Sequence, residues 1–410
     1  GDQSVTVTII DAESAPTVAL TSSASSVSES STSNLTLTAT LSVAAKVDVV
    51  VTLGASGSAI EGTHYASLSN ITISAGNTTG TAVFNPTNDN VSGGDKSAII
   101  SISSLSGASA SNGSPSSVTI SIIDDESTPT VTLSSSASTV AENGSDLTLT
   151  ATLSIASSEN VIVTLTGSGT STAASDYASL STITISAGST SGTTTFDPTE
   201  DTVYEGSETA IIAITGVSGG SAVEDGTQSE TITITDSLAA PTVTLSSSVS
   251  TVAENGTNPT LTATLNRQTF EDVTVTITAS GTAIFGTDYT ALEQITISAG
   301  ETTGTITATL VNDSVYEGNE TAILNITGVT GGGATENGTQ AVTVTLTDSL
   351  AAPTATLTAS ASTVSEKASD LTLTATLNRS TYETVTVTLS PSGTSTAGTD
   401  YASLSSITIS

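Results

Sequence analysis

Apolar residues and threonines alternate along the chain in short runs. The clearest runs in the middle of the chain are LTLTATL (147–153), VIVTL (161–165), ITI (183–185) and ITI (232–234). Alternation with a period of two, rich in β-branched residues, is typical of a half-buried β-strand. Turn-forming clusters separate the runs: ENG (142–144), GSG (167–169) and SAG (186–188). The pattern predicts an all-β sandwich of about seven strands in two antiparallel sheets.

The whole pattern recurs with a step of 112 or 113 residues. A P-T-[VA] run begins at Pro16, Pro129, Pro241 and Pro353, and a [DH]-Y-[AT]-[SA]-L box contains Tyr65, Tyr177, Tyr289 and Tyr401. This step is too long for a solenoid unit and fits a small domain of roughly 100 residues. We therefore expect a tandem array, with the last strand of a preceding repeat at 1–15, a first repeat at 16–128, a second at 129–240, a third at 241–352, and a partial fourth at 353–410.

The two ends of the chain correspond to parts of a repeat. Residues 1–11 align with a final strand, and residues 353–410 align with the first four strands. Joining copies head to tail would leave out the equivalents of residues 299–337, so such a joint would not complete a sandwich. We expect a longer natural polymer of such repeats, because half a sandwich exposes unpaired strand edges.

The amino-acid composition limits the classes of partner that the chain can bind. The chain carries 39 acidic residues against five lysines and arginines, a formal net charge of −34. Such a charge repels nucleic acids and anionic membranes and attracts cations. Cysteine and methionine are both absent, and no apolar run reaches the roughly 18 residues of a membrane span. These features suit an extracellular, cell-surface polymer with no membrane insertion in this segment and no disulfide framework.

Acidic residues concentrate in one loop of each repeat, which we call the acidic loop. It reads NDNVSGGDKSA at 88–98, EDTVYEGSETA at 200–210 and NDSVYEGNETA at 312–322. Carboxylates brought together from several loops repel one another, and they are the hard oxygen ligands that calcium requires. A bound cation would then be part of the fold. Isolated acids such as Glu293, Glu301 and Glu383 are interpreted instead as solvated surface charges, and the tyrosines as packing residues.

Four landmarks in fixed order resemble the Calx-beta family, known from sodium–calcium exchangers and large bacterial surface proteins. They are [VA]-[SA]-E in the first loop, G-T-D-Y after the third strand, D-x-x-Y-E-G-x-E in the acidic loop, and an acidic residue closing the last strand. The resemblance implies tandem immunoglobulin-like, seven-stranded antiparallel β-sandwiches. It also implies calcium (Ca2+) bound by loop carboxylates at one end of each repeat.

The resemblance assigns a set of metal ligands to every repeat. In the second repeat they are Glu142, Asp176, Asp201, Glu205, Glu208 and Asp236; in the third, Glu254, Asp288, Asp313, Glu317, Glu320 and Asp348; in the first, Glu29, Asp89, Asp124 and Asp125; in the fourth, Glu366 and Asp400. His64, Gly93 and Lys96 stand in the first repeat where the others carry acids. We therefore expect the first repeat to bind calcium most weakly.

Two non-enzymatic functions fit these observations. The first is a stalk or filament segment of a repetitive cell-surface adhesin, stiffened by calcium, with neighbouring repeats as its partners. The second is an array of binding domains whose exposed faces contact glycans, or less plausibly ice, through rows such as Thr274, Thr276 and Thr278. Outward threonine is ordinary in strands, and a twisted sheet does not match a flat lattice, so the stalk is favoured. An enzyme is not expected, since His64 is the single histidine and the acids recur once per repeat.

Overall fold

A computed structural model describes residues 2–10, 12–290 and 292–410, and those residues form strands and loops but no helix. The chain separates into two compact units, residues 1–140, 144–199 and 209–234 in the first, and 141–143, 200–208 and 235–410 in the second. The first repeat lies within the first unit, and the third and fourth repeats lie within the second. The division therefore passes through the second repeat.

The first repeat is a sandwich of two sheets. Its strands are β1 (Thr17–Ser22), β2 (Ser26–Ser28), β3 (Leu35–Leu41), β4 (Val49–Gly57), β5 (Ile71–Ile73), β6 (Thr79–Phe84), β7 (Val91–Ser92), β8 (Lys96–Ser106), β9 (Ser111–Asn112) and β10 (Ser117–Ile123). One sheet has the order β6-β3-β1-β9 and the other β2-β10-β8-β4-β5. The neighbouring strands β1 and β2 thus belong to different sheets.

The second repeat has the same topology. Its strands are β11 (Thr130–Ser135), β12 (Thr139–Ala141), β13 (Leu147–Leu153), β14 (Ala156–Ser157), β15 (Val161–Gly169), β16 (Ile183–Ile185), β17 (Ser191–Phe196), β18 (Val203–Tyr204), β19 (Glu208–Ser218), β20 (Val223–Glu224) and β21 (Ser229–Thr235). The sheet orders are β17-β13-β11-β20 and β12-β21-β19-β15-β16. All four runs used above to predict strands are strands, and their alternating apolar positions face the core, whereas Ile162, between Val161 and Val163, is exposed.

The third repeat keeps this plan, and the fourth contains four strands. The third consists of β22 (Thr242–Ser247), β23 (Thr251–Ala253), β24 (Thr260–Leu265), β25 (Gln268–Thr269), β26 (Val273–Gly281), β27 (Tyr289–Thr290), β28 (Gln294–Ile297), β29 (Thr303–Thr307), β30 (Thr309–Leu310), β31 (Glu320–Thr330), β32 (Thr335–Glu336) and β33 (Ala341–Thr347). Its sheets run β29-β24-β22-β32 and β23-β33-β31-β26-β28. The fourth consists of two hairpins, β34 (Ala355–Ala359) with β35 (Leu373–Leu377), and β36 (Val385–Val387) with β37 (Ile407–Ile409).

Aliphatic side chains from both sheets fill each core, as the alternation predicts. In the first repeat Leu20 and Leu37 of one sheet pack with Ile100 and Ile120 of the other, all fully buried. Tyr65 stacks on Phe84 with ring centroids 4.7 Å apart, and Tyr177 stacks on Phe196 at 4.9 Å. These tyrosines are core residues, which agrees with their interpretation as packing residues.

The segment predicted to be a final strand at the start of the chain differs from expectation. Residues 2–10 form no strand, and Val5, Val7 and Ile9 are largely exposed. A strand requires a hydrogen-bonded neighbour, and this segment pairs with none of the described residues. Gly1 and Asp11, which belong to the same predicted strand, lie outside the described residues.

Short parallel pairings join consecutive repeats through the acidic loops. Within the first unit, β7 of the first repeat pairs with β14 of the second. Within the second unit, β18 pairs with β25 of the third repeat, and Tyr316 forms a parallel bridge to Thr381 of the fourth. The same loop that carries the candidate ligands therefore contacts the next repeat.

Candidate metal centre

In the third repeat, three carboxylates from two loops come together. Asp288 lies in the loop before β27, Glu317 lies in the acidic loop, and Glu320 is the first residue of β31. One carboxylate oxygen of each lies within 4.8 Å of the other two. This group joins the G-T-D-Y box to the acidic loop.

Backbone amides hold the neighbouring carboxylates in place. Asp348, which follows β33, accepts hydrogen bonds from the amides of Glu317 (2.6 Å), Gly318 (3.2 Å) and Leu350 (2.7 Å). Asp313 accepts one from the amide of Val315 at 2.8 Å. These bonds fix the acidic loop to the end of the last strand, so Asp313 and Asp348 shape the loop that presents Glu317.

The electrostatics of this end show how crowded the carboxylates are. Burial, reinforced by Asp288, raises the pKa of Glu317 and of Glu320 from 4.5 to about 7. Burial, followed by repulsion from Asp348 and Asp313, also raises the pKa of Glu254, which is only 7% exposed. All six predicted ligands of the third repeat therefore lie at one end of the sandwich, where a cation would relieve their mutual repulsion.

The predicted ligands of the second repeat are divided between the two units. Asp176 belongs to the first unit, where it is 7% exposed and accepts a hydrogen bond from the amide of Thr172. The other five belong to the second unit, where Asp236 accepts hydrogen bonds from the amides of Glu205 (2.7 Å) and Gly206 (3.0 Å). Asp201 accepts one from the amide of Val203 at 2.8 Å.

Glu142 is the most deeply buried of the six predicted ligands of the second repeat, with 5% of its surface exposed. Burial, followed by repulsion from Asp236, raises its pKa to about 7, although a hydrogen bond from the amide of Ser237 acts in the opposite direction. Its Oε2 atom is buried and has no hydrogen-bond partner. A buried anionic oxygen without a donor is costly unless a cation neutralises it, so Glu142 fits a metal ligand.

The first repeat lacks the three-carboxylate group found in the third. His64, Gly93 and Lys96 occupy the positions of Asp288, Glu317 and Glu320. The Nζ atom of Lys96 donates a hydrogen bond to the carbonyl of Gly93 at 2.7 Å, so the acidic loop of this repeat contains an ammonium group.

A different acidic group lies at this end of the first repeat. Oxygens of Glu29, Asp124 and Glu126 lie within 4.8 Å of one another. Burial and a hydrogen bond to Glu126 raise the pKa of Glu29 to about 8. Burial acts to raise the pKa of Asp124, but hydrogen bonds from the amides of Gly93 and Glu126 outweigh burial and hold this pKa below its ordinary value.

Glu126 was not predicted as a ligand. Transferring positions between repeats by the 112-residue step hid it, because the second and third repeats have leucines, Leu238 and Leu350, at its position. The available signal was the acidic run D-D-E at 124–126. Of the other predicted residues, Asp89 lines the small cavity beside this group, and Asp125 is exposed outside it. Glu366 and Asp400 of the fourth repeat are exposed and belong to none of the acidic groups found among the described residues.

One carboxylate position has a structural function as well. In the G-T-D-Y box, one oxygen of Asp288 closes its loop by accepting a hydrogen bond from the amide of Ile284, and Asp400 does the same with Thr396 at 2.7 Å. In the first repeat, Nδ1 of His64 accepts the equivalent bond from Ile60 at 2.8 Å. Histidine therefore preserves loop closure where the carboxylate is lost.

The donor set fits a hard divalent cation. Every candidate ligand is a carboxylate, with no cysteine in the chain and no histidine in the second or third repeat. Calcium binds six to eight oxygens, which Asp and Glu side chains, backbone carbonyls and water together supply. Softer transition metals would favour nitrogen or sulfur ligands.

Comparison with known proteins identifies a family. The family model described as the Calx-beta domain matches residues 11–126, 124–238 and 236–350. No curated protein matches the sequence. Among the described residues, no helix is long and apolar enough to span a membrane.

The solved structures that match this chain share little sequence with it. The crystal structure of CBD12 from CALX1.2 is 13% identical, covers 51% of this chain and 95% of its own, and has a TM-score of 0.24. The calcium-binding domain CBD12 of CALX1.1 is 17% identical over 47% of this chain and 77% of its own, with a TM-score of 0.23. A Salmonella alpha-2-macroglobulin mutant is 11% identical over 84% of this chain and 24% of its own, with a TM-score of 0.19. Because these identities and TM-scores are low, the family assignment rests on the match to the Calx-beta model.

Proposed function

Because the chain belongs to the Calx-beta family, whose domains are calcium-binding modules, we propose that it binds calcium at the acidic end of its repeats and is an extracellular structural segment of a repetitive surface protein. The observation that carries the calcium site is the group formed by Asp288, Glu317 and Glu320. Burial, and then the proximity of Asp288, raise the pKa of Glu317 and of Glu320 to about 7, so their ionised forms are disfavoured while no cation is bound. In this proposal the protein binds calcium and gives mechanical support, and it does not catalyse a reaction.

The stalk role is supported by the way the repeats join. The acidic loop contributes ligands through Glu205 or Glu317 and also pairs with the following repeat through Tyr204 or Tyr316. A cation that orders the loop would order both the ligands and the pairing with the following repeat. The linkers are short, so a joint that is ordered in this way gives a stiff array.

A calorimetric scan of the full chain with calcium and with chelator tests the calcium site. A ligand present at 100 times its dissociation constant adds about 2.7 kcal/mol to stability, a large part of what a small sandwich has. We expect chelation to lower the melting temperature of the second and third repeats. Glu320→Gln should reduce the calcium-dependent part of the shift, whereas Glu301→Gln, an exposed acid on the same repeat, should not. An unchanged melting temperature in chelator would refute the calcium site.

Scattering in solution tests the stalk role separately. Small-angle X-ray scattering of the full chain should give a narrower distribution of dimensions with calcium than with chelator. Equal distributions together with calcium-dependent melting would leave calcium binding in place and remove the stiffening role. Binding of the same chain to a glycan array would favour the alternative in which the exposed faces are recognition surfaces.

A further inference from the structure

The joint between the second and third repeats contains a close contact between a tyrosine ring and a glycine. Tyr204 of the acidic loop lies against Gly333, which is in the turn between β31 and β32. A methyl group added at Gly333 would lie 2.7 Å from Cε1 and 3.2 Å from the hydroxyl oxygen of Tyr204. No side chain fits at Gly333 while the tyrosine ring occupies this position.

The backbone conformation at this turn does not itself require glycine. Gly333 has a φ of +59°, and the equivalent residues Ser221 and Ser109 have φ values of +54° and +50°. Serine is therefore accommodated at the same turn in two other repeats. The glycine at 333 is explained by the tyrosine that lies against it rather than by the turn.

The joint between the first and second repeats lacks both members of this pair. Ser92 occupies the position of Tyr204, and Ser221 occupies the position of Gly333. The backbone pairing is otherwise alike. The amide of Ser158 donates to the carbonyl of Ser92 at 2.9 Å, and the amide of Phe270 donates to the carbonyl of Tyr204 at 3.1 Å. The two joints thus share a short parallel pairing but differ in the residues at these two positions.

We propose that Tyr204 and Gly333 form a matched pair that determines which repeat can follow the second one. The partner that fits the Tyr204 surface is a repeat with glycine at this turn position, and a repeat with serine there fits only a preceding repeat without the ring. A two-residue pairing is marginal without a covering side chain. The tyrosine-covered joint is therefore more tightly closed than the serine-covered joint. Neither residue is a candidate ligand, but Tyr204 precedes the candidate ligand Glu205 in the acidic loop, so the pair is tested with calcium held at saturation.

Amide hydrogen exchange on the full chain, saturated with calcium, tests the pair. The amides of Phe270 and Ser158 report on the two joints in one molecule. In the natural sequence we expect slower exchange at Phe270 than at Ser158. Tyr204→Ser should accelerate exchange at Phe270 to the level of Ser158, with exchange in β26 and β31 unchanged.

The double variant separates a matched pair from a general loss of packing. Gly333→Ser should also accelerate exchange at Phe270, because the added side chain displaces the ring. Combining Gly333→Ser with Tyr204→Ser recreates the Ser92 and Ser221 pair, and we expect no acceleration beyond that of Tyr204→Ser alone. Additive effects in the double variant, or unchanged exchange at Phe270 in either single variant, would overturn the proposal. Either result would leave the calcium site untouched, since that site is tested by chelation.

Discussion

Ala174 adopts a left-handed backbone conformation at a position where the other three repeats have glycine. It has a φ of +74°, in the left-handed region, whereas the other three repeats have Gly62, Gly286 and Gly398 at this position. A residue with a Cβ atom in this region is strained by roughly 1–2 kcal/mol. The strain is located in the same loop as Asp176.

Replacing Ala174 by glycine should therefore stabilise the second repeat. The relief of strain exceeds the extra entropy of glycine in the unfolded chain, so we expect a gain on the order of 0.5–1 kcal/mol. Urea unfolding of the full chain, followed by amide exchange in β13, would measure it. The matched control is Gly286→Ala in the third repeat, where an added Cβ meets no atom within 4 Å and the backbone strain alone should reduce stability. Equal stability of both variants and the natural chain would contradict the argument.

Glu317 links protonation to the stability of the calcium-free third repeat. Its pKa is 4.5 in the unfolded chain and about 7 in the folded state, because of burial and then repulsion from Asp288. The folded state therefore binds this proton more tightly. Its contribution to stability is fully present below pH 4.5, falls between pH 4.5 and about 7, and is lost above that.

In chelator, the third repeat should melt at a higher temperature at pH 5 than at pH 8. Glu317→Gln should flatten this dependence, because glutamine is neutral at both values. With calcium present the dependence should be weaker or reversed, since the ion binds the ionised carboxylates. A calcium-free melting temperature that rises between pH 5 and pH 8 would show that these acids are not crowded in solution.

Among the elements, the acidic loop of the first repeat differs in charge from those of the second and third. In the first repeat the loop has Lys96 in place of Glu320, so a positive charge stands where the proposed calcium site of the third repeat has a carboxylate. The separate group of Glu29, Asp124 and Glu126 retains carboxylates, but with fewer nearby acids from the acidic loop.

Exchanging these residues should exchange calcium affinity. Lys96→Glu should increase the calcium bound by the first repeat, and Glu320→Lys should abolish most binding by the third. Isothermal titration of the full chain gives the stoichiometry and affinity, and Glu301→Lys is the matched control for the change of net charge. Equal calcium occupancy of the first and third repeats in the natural chain would show that the ligands have been assigned incorrectly.

The strands were predictable because the alternation of apolar residues and threonine that indicates a strand lies within a few consecutive residues. In β13 the alternation of Leu147, Leu149 and Leu153 with threonine predicts which side faces the core, and the structure confirms it. The pairing of β18 with β25 was not predictable, since two residues show no period and their partner lies in another repeat. Glu126 was missed for a related reason, because alignment by the common step transfers only what the repeats share.

For the whole molecule, the step of 112 residues correctly indicated tandem sandwiches, and the family matches at 11–126, 124–238 and 236–350 follow the same step. The repeat boundaries themselves remain a prediction, and the division into two units passes through the second repeat. Periodicity identifies the repeats, but it does not indicate how stable the joint between two consecutive repeats is. That information lies in single positions such as Ser92 and Tyr204.

The hydrogen bond accepted by His64 has an evolutionary consequence. In the G-T-D-Y box, Asp288 closes its loop as well as belonging to the acidic group, so a substitution that keeps an acceptor for the loop amide, as His64 does for Ile60, keeps the loop. A duplicated copy can then lose its ligands one by one without passing through an unfolded intermediate. A gene lengthened by duplication would in this way collect copies with graded ion requirements, and the array could respond to falling calcium copy by copy rather than all at once.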